Sequence, residues 1–392
     1  MRRAKRARSV DRVTIDGVCN PRFERVRSAF AKNFDSGADV GASVAVTIDG
    51  KFVVDLWGGF RDLARTAPWE RDTIVATAST TKTMTALCAL ILADRGELDL
   101  DVPAARYWRE FAANGKSEIT TAQMLGHTAA LPGWTEPMAP SDLCDWEKST
   151  TLLARQSPWW APGTASGYHA TTQGYLVGEV VRRITGQTVG QFFRSEIARP
   201  LGADYHIGLA PEHDVRMALS ISAPKDAEPV PQPGSIASRV ATNPSLDEIT
   251  DWVAFFRAEI PAGNGVGNAR SVALIQSILA CGGEARGRRF LSRAGCERAL
   301  VQQSDGVDLV FASPVKFATG YALELGALKF GRGRSCFWGG SGGSLIVIDF
   351  EARMTIAYVM NRMIGAPFGD PRNTRIVKAV YASLADGSAI PN

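Results

Sequence analysis

Two serines stand where a hydroxyl could be turned into a nucleophile, and their surroundings imply different machinery. The first is Ser79, in Ser79-Thr80-Thr81-Lys82; the second is Ser341, in Gly339-Gly340-Ser341-Gly342-Gly343. A serine attacks only when a base takes its proton. Residues three apart share one face of a helix, so the Lys82 amine can approach the Ser79 hydroxyl. A lysine held among apolar neighbours has its charged form disfavoured and can serve as that base. The positive end of the helix would favour negative charge developing at Ser79. The plainer reading of the same pair is a serine that caps a helix beside a lysine that snorkels to solvent.

Ser341 fits the G-x-S-x-G elbow, in which a strand turns sharply into a helix and a catalytic histidine follows later in the chain. Neither condition is met. The four histidines, His127, His169, His206 and His213, all precede Ser341, and Ser344-Leu345-Ile346-Val347-Ile348-Asp349-Phe350 reads as a strand. Glycine-rich segments produce the pattern by chance, so Ser79 is the expected nucleophile.

The elements expected to hold these residues follow from hydrophobic period and turn chemistry. Residues 21–34 read as a helix. Val44 to Ile48 and Phe52 to Leu56 flank Asp49-Gly50, a hairpin signal. Thr83 to Ala93 is apolar on nearly every side and should be buried all round, with Ser79 and Lys82 at its N-terminal end. Further helices are expected near 149–156, 171–185, 188–197, 248–259, 269–280, 291–301 and 371–385. Strands are expected over 317–328, 336–350 and 354–360. Pro224, Pro229, Pro231, Pro233 and Pro244 mark an irregular stretch that could wall a site or merely connect. The expected fold class is α/β (α+β): an antiparallel sheet flanked by helices, built from residues 13–105 and 305–392, beside a mostly helical domain over 106–304. The cleft between them is the natural place for a site.

Four segments, in this order and at these separations, resemble the serine β-lactamase and penicillin-binding-protein superfamily, and within it the family VIII carboxylesterases of the class C β-lactamase fold. They are Ser79-Thr80-Thr81-Lys82 with its helix, Leu125-Gly126-His127-Thr128-Ala129-Ala130-Leu131-Pro132-Gly133, Pro162-Gly163 with Tyr168-His169-Ala170, and Trp338-Gly339-Gly340. The resemblance spans most of the chain and implies a β-lactamase/transpeptidase-like fold. It assigns to Tyr168 a share in deprotonating Ser79 and the return of a proton to the leaving group. It puts Trp338-Gly339-Gly340 in the place of the lactamase K-T-G segment and makes the backbone amides of Ser79 and Ser341 the oxyanion hole. Trp338, Gly339, Gly340, His169 and Trp134 are the expected substrate-binding residues, while His127 is expected to be structural.

Two departures from the lactamase pattern bear on the substrate. The Y-x-N asparagine is Ala170 here and the K-T-G lysine is Trp338, which removes an amide partner and a cation that meet a β-lactam. Short neutral carboxylic esters fit better, giving a serine carboxylesterase that works through a Ser79 acyl-enzyme. A β-lactamase/DD-peptidase-like amidase or an acyltransferase on the same site is the alternative, and a non-catalytic binding module is the reading of another class.

Composition narrows the remaining choices. Of 392 residues, 45% are hydrophobic and 21% charged, ordinary for a soluble protein. The net charge of +4 is carried by the first twelve residues, where Arg2, Arg3, Lys5, Arg6, Arg8 and Arg12 face one acid, Asp11. That stretch is expected to be a solvated, disordered tail, with no nucleic-acid or membrane partner. No apolar run approaches the roughly 18 residues that cross a bilayer and no secretory h-region follows the basic residues, so a cytoplasmic location is expected. Six cysteines without C-x-x-C spacing and four scattered histidines suggest neither disulfides nor a metal. No cofactor is expected, the partner is a small-molecule ester substrate, and the oligomeric state is open.

Overall fold

The computed structural model describes residues 13–222, 231–324, 333–364 and 369–385. Its centre is a six-stranded antiparallel sheet drawn from both ends of the chain: β1 (Ile15–Cys19), β2 (Gly41–Ile48), β3 (Lys51–Gly59), β4 (Ser335–Gly339), β5 (Leu345–Asp349) and β6 (Met354–Met360), in the spatial order β1-β3-β2-β6-β5-β4. Asp49 and Gly50 both adopt positive φ, 48° and 71°. That is what a two-residue hairpin turn matched to strand twist requires, and Ile48 accordingly faces Lys51.

Alternation of side chains fixes what lies on each face. Ser43 and Thr355 point to one side, where they bond the Ala269 amide and the Ala273 carbonyl of helix Ala269–Ala280. Tyr358, opposite Val44, points to the other and bonds Asp39 near the closing helix Pro371–Ala385. The first helix, Glu24–Asp35, packs on that closing helix. The sheet is therefore covered on both faces, which explains why β2 is buried at all but its last residue.

Helix Thr81–Asp94 is buried at twelve of its fourteen positions, as its lack of a polar face requires, and packs against helices Thr172–Thr185 and Val189–Phe193. The antiparallel sheet flanked by helices matches the expected class.

Several boundaries differ from expectation. β1 has no counterpart in the sequence reading: it is a short edge strand with three exposed residues, too weakly patterned to announce itself. The single strand expected over 336–350 is two, β4 and β5, folded back on each other so that Gly339 faces Leu345, because Gly340 to Gly343 make the turn. Helix 269–280 is found at Ala269–Ala280 and packs on β2, β5 and β6 of the sheet. The helix expected over 248–259 is shorter, Trp252–Arg257. Within the proline-rich stretch, Ile236–Thr242 is helical. Pro224 and Pro229, the basic tail and part of the strand expected over 317–328 lie outside the described residues.

Candidate active site

Ser79 sits in a single 3-10 turn, Ala78–Thr80, that leads into helix Thr81–Asp94 and carries no side-chain cap bond. The residue before it, Ala78, has φ +45°, a left-handed conformation that costs a non-glycine residue energy and persists only where surroundings enforce it. They do so here. Thr77 donates its amide to the Gly265 carbonyl at 2.9 Å, Thr81 Oγ1 donates to the Ala78 carbonyl at 2.6 Å, and Tyr205 Oη bridges the hydroxyls of Thr77 and Thr81 at 2.6 and 3.3 Å. Ser79 itself remains partly accessible.

Lys82 is fully buried and its amine faces three oxygens. Nζ lies 3.3 Å from Ser79 Oγ and donates to the carbonyls of Ala170 at 2.6 Å and Ala262 at 2.8 Å. Burial holds its pKa well below the usual lysine range. A neutral amine has two N–H bonds and one lone pair, so with both N–H groups on carbonyls the lone pair is left for the Ser79 hydroxyl. The snorkelling alternative is thereby removed.

The third member arrives from 89 residues away: Tyr168 Oη is 2.7 Å from Ser79 Oγ. Lys82 Nζ lies 4.8 Å from the centre of the phenol ring. Burial raises the phenol's pKa, the Ser79 hydrogen bond opposes this, and the Asp308 charge adds to it, so the hydroxyl keeps its proton near neutrality.

The Ser341 turn is joined to the Ser79 turn through Ser344, whose Oγ donates to the Thr77 carbonyl at 2.7 Å and lies 2.9 Å from Thr80 Oγ1. Gly340 passes against the Ser79 backbone nitrogen: a β-carbon on it would stand 3.0 Å away. Among the described residues, neither the Ser79 nor the Ser341 amide has a recorded acceptor, and Ser341 is exposed.

Three residues expected to touch substrate do something else. Trp134 is 2% exposed, donates Nε1 to the Ser149 carbonyl at 3.0 Å and packs edge-on to Tyr175; it is core. His169 is fully buried, with Nε2 accepting from the Leu131 amide and Nδ1 donating to the Gly167 carbonyl, so it staples two loops. Trp338 adjoins the site but is buried, stacked on His127 at 5.5 Å and tilted against Tyr168 at 5.9 Å; it forms the floor behind the tyrosine. Gly339 is partly exposed at the end of β4, beside Gly340. His127 accepts the His169 amide on Nδ1, the structural part expected of it.

Asp308 and Phe311 escaped the sequence reading. Asp308 Oδ1 accepts the Tyr168 amide at 3.2 Å, and the Phe311 ring stacks on the phenol at 4.6 Å. The only local signal was Asp308 followed by a short turn.

A hollow of about 470 Å³ opens elsewhere, at the far end of helix Thr81–Asp94, among Leu90, Asp94, Leu98, Leu100 and Arg298. Its lining holds no hydroxyl, thiol, amine or imidazole, and none of Ser79, Lys82 and Tyr168 borders it. Among the described residues no group of histidine, cysteine and carboxylate side chains could hold a metal ion, and no helix is long and apolar enough to cross a membrane.

An antiparallel sheet built from both termini, with a buried S-x-x-K helix and a tyrosine delivered from the helical part, is the architecture of the penicillin-binding proteins and class C β-lactamases. The chain belongs to the Beta-lactamase family, whose profile matches residues 26–381. It is 34% identical over 376 residues to the esterase/beta-lactamase LipL of Mycobacterium tuberculosis strain H37Rv, covering 89% of this chain and 83% of that protein. Among solved structures it is similar to a family VIII carboxylesterase, 39% identical with a TM-score of 0.89 over 94% of this chain and all of that one. A penicillin-binding-protein homologue from Caulobacter crescentus is 37% identical, again with a TM-score of 0.89, over the same 94% and all of its own chain.

Proposed function

We propose that this protein is a serine carboxylesterase that hydrolyses short-chain carboxylic esters through an acyl-enzyme on Ser79. One observation carries the reading: Ser79 Oγ lies 2.7 Å from a phenol and 3.3 Å from an amine whose other two directions end on carbonyls. Such a hydroxyl has a base on one side and an acid on the other.

In the first step the Lys82 lone pair takes the Ser79 proton as Oγ attacks the ester carbonyl. The oxyanion gathers on the Ser79 and Ser341 amides, which stand ready without reorganisation. Collapse breaks the carbon–oxygen bond to the alcohol, whose oxygen takes the Tyr168 proton. The Lys82 ammonium, 4.8 Å from the phenol ring, restores that proton. Water then attacks the acyl-enzyme, gives up its proton by the same route, and the acid departs as Ser79 is reprotonated.

The names of LipL and of the family VIII structure support ester hydrolysis. Ala170 and Trp338 weigh against lactams: the first offers Lys82 a backbone carbonyl but no side-chain amide, and the second fills the floor with an indole instead of a cation. The deciding experiment is an ester panel run on wild type and Ser79→Ala, with mass spectrometry of the trapped acyl-enzyme. Acylation at Ser79 and loss of turnover in the variant are expected. Full activity in Ser79→Ala would overturn the assignment, and nitrocefin turnover far above ester turnover would make the protein a lactamase.

A further inference from the structure

Tyr168 is held from behind by a turn for which the reaction scheme has no use. Residues 308–313 join the strands Gln302–Val307 and Pro314–Ala318. Asp308 is fully buried, and its Oδ1 accepts three backbone N–H groups: those of Val310 and Phe311 at 2.9 Å each, and that of Tyr168 at 3.2 Å, 140 residues away. The first two bonds close the turn, as aspartate commonly does. The third leaves the turn and fastens it to the tyrosine. A second tie runs beside it, from the Leu309 amide to the Ser166 carbonyl at 2.9 Å.

The same turn also covers the phenol. The Phe311 ring lies over that of Tyr168 with centroids 4.6 Å apart and planes at 22°. The other neighbours of the phenol are His127, edge-on at 5.0 Å, Trp338 at 5.9 Å and the Lys82 amine at 4.8 Å. One short turn thus pins the Tyr168 backbone and limits the swing of its ring.

Asp308 has a second oxygen, Oδ2, which is buried and takes no hydrogen bond from any described residue. Burying an unpaired polar atom costs stability. Closing the turn needs only an acceptor at Oδ1, so closure by itself leaves this residue unexplained.

We infer that Asp308 is a positioning residue for Tyr168, acting through the Tyr168 amide and through Phe311 to aim the phenol proton at the oxygen of the departing alcohol. The inference rests on the esterase reading above and deepens it. It matters most for esters of simple alkyl alcohols, whose alkoxides are too basic to leave without a proton. Nitrophenolate leaves unprotonated, so its esters are largely indifferent to where the phenol points.

The test compares kcat/KM for ethyl acetate and p-nitrophenyl acetate in wild type, Asp308→Ala, Asp308→Asn and Phe311→Ala. Active sites are counted in each by fluorophosphonate labelling of Ser79. Asp308→Ala should lower the ethyl ester rate at least about tenfold more than the nitrophenyl ester rate, within the usual worth of a general acid. Asp308→Asn, whose amide oxygen can accept the same three N–H groups, should keep the ratio within about threefold of wild type. Phe311→Ala should shift the ratio as Asp308→Ala does, and it stands in for that variant should the turn fail to fold. Proportional loss on both esters per active site would overturn the proposal. A wild type with no Ser79-dependent turnover would instead sink the esterase reading itself.

Discussion

Gly340 and Ser79 meet backbone to backbone. A β-carbon on Gly340 would lie 3.0 Å from the Ser79 nitrogen and 2.5 Å from the Thr77 carbonyl oxygen. The Thr77 carbonyl resists displacement, because Thr77 is bonded to Gly265, Tyr205 and Ser344. Gly340→Ala should therefore push the Ser341 turn away from the nucleophile and separate the two amides proposed to hold the oxyanion. Loss of one such donor costs about a hundredfold or more in kcat. Steady-state kinetics on p-nitrophenyl butyrate, with circular dichroism to verify folding, should show that loss; near-wild-type turnover would mean that the amides do not act together.

Lys82 gives a pH signature of determined sign. Its folded-state pKa is pushed well below the ordinary 10.5 by burial, whereas in the unfolded chain it is an ordinary lysine. Between those two values the unfolded state binds the extra proton, so stability rises with pH across that window. Lys82→Met removes the slope. In denaturant melts, the stability of the variant minus that of wild type should fall as pH rises from 7 toward 10.5. Ester turnover by wild type should fade on acidification through the lowered pKa, since only the neutral amine is a base. A pH-independent difference between the two proteins would show that Lys82 stays charged when buried.

His169 works in the acid range. Burial lowers its pKa from 6.5 to about 3, with the Gly167 hydrogen bond opposing and Lys82 assisting. Between pH 6.5 and about 3 the unfolded chain binds a proton that the folded one refuses, so stability is lost as pH falls through that window, by up to about 1.4 kcal/mol per unit. His169→Gln should flatten urea-derived stability between pH 7 and 4 by one proton's worth, at some loss of overall stability as the Leu131 and Gly167 bonds weaken. His127, also pushed down by burial, keeps a parallel slope in both proteins. An unchanged slope in the variant would contradict the assignment.

The contrast between His169 and Ser79 bears on what a sequence can reveal. Ser79 and Lys82 were legible because they lie three residues apart where one turn runs into an apolar helix, so local geometry and chemistry coincide. Asp49-Gly50 and Ala269–Ala280 were legible for the same reason: turn chemistry and a sustained period are local. Trp134 and His169 sit beside motif residues, but strand and loop neighbours point their side chains in opposite directions, and adjacency in sequence could not say which way. The split of 336–350 into β4 and β5 was hidden because glycines interrupt a run that is otherwise β-like throughout. Asp308 was invisible: its partner is 140 residues away, and no periodicity encodes a contact of that range.

Arg372 belongs with these long-range contacts. Its side chain is 1% exposed and pairs with Asp39 at 2.9 Å and Asp370 at 2.7 Å, both buried. The same guanidinium donates to the carbonyls of Arg362 at 2.6 Å and of Gly342, in the turn that carries Ser341. Asn373 adds a bond to the Gly343 carbonyl at 3.0 Å. Two carboxylates left without their cation would be uncompensated in the interior, a change worth about 3–5 kcal/mol. Arg372→Met should cost that much in chemical denaturation, whereas Asn373→Ala, which breaks one neutral bond to the same turn, should cost about 1 kcal/mol. Because Gly342 follows Ser341, Arg372→Met should also lower kcat in whatever fraction remains folded at low temperature, while Arg372→Lys, which restores the charge but not the fork, should recover more stability than activity. Equal recovery of both would show that the arginine serves only to neutralise Asp39 and Asp370.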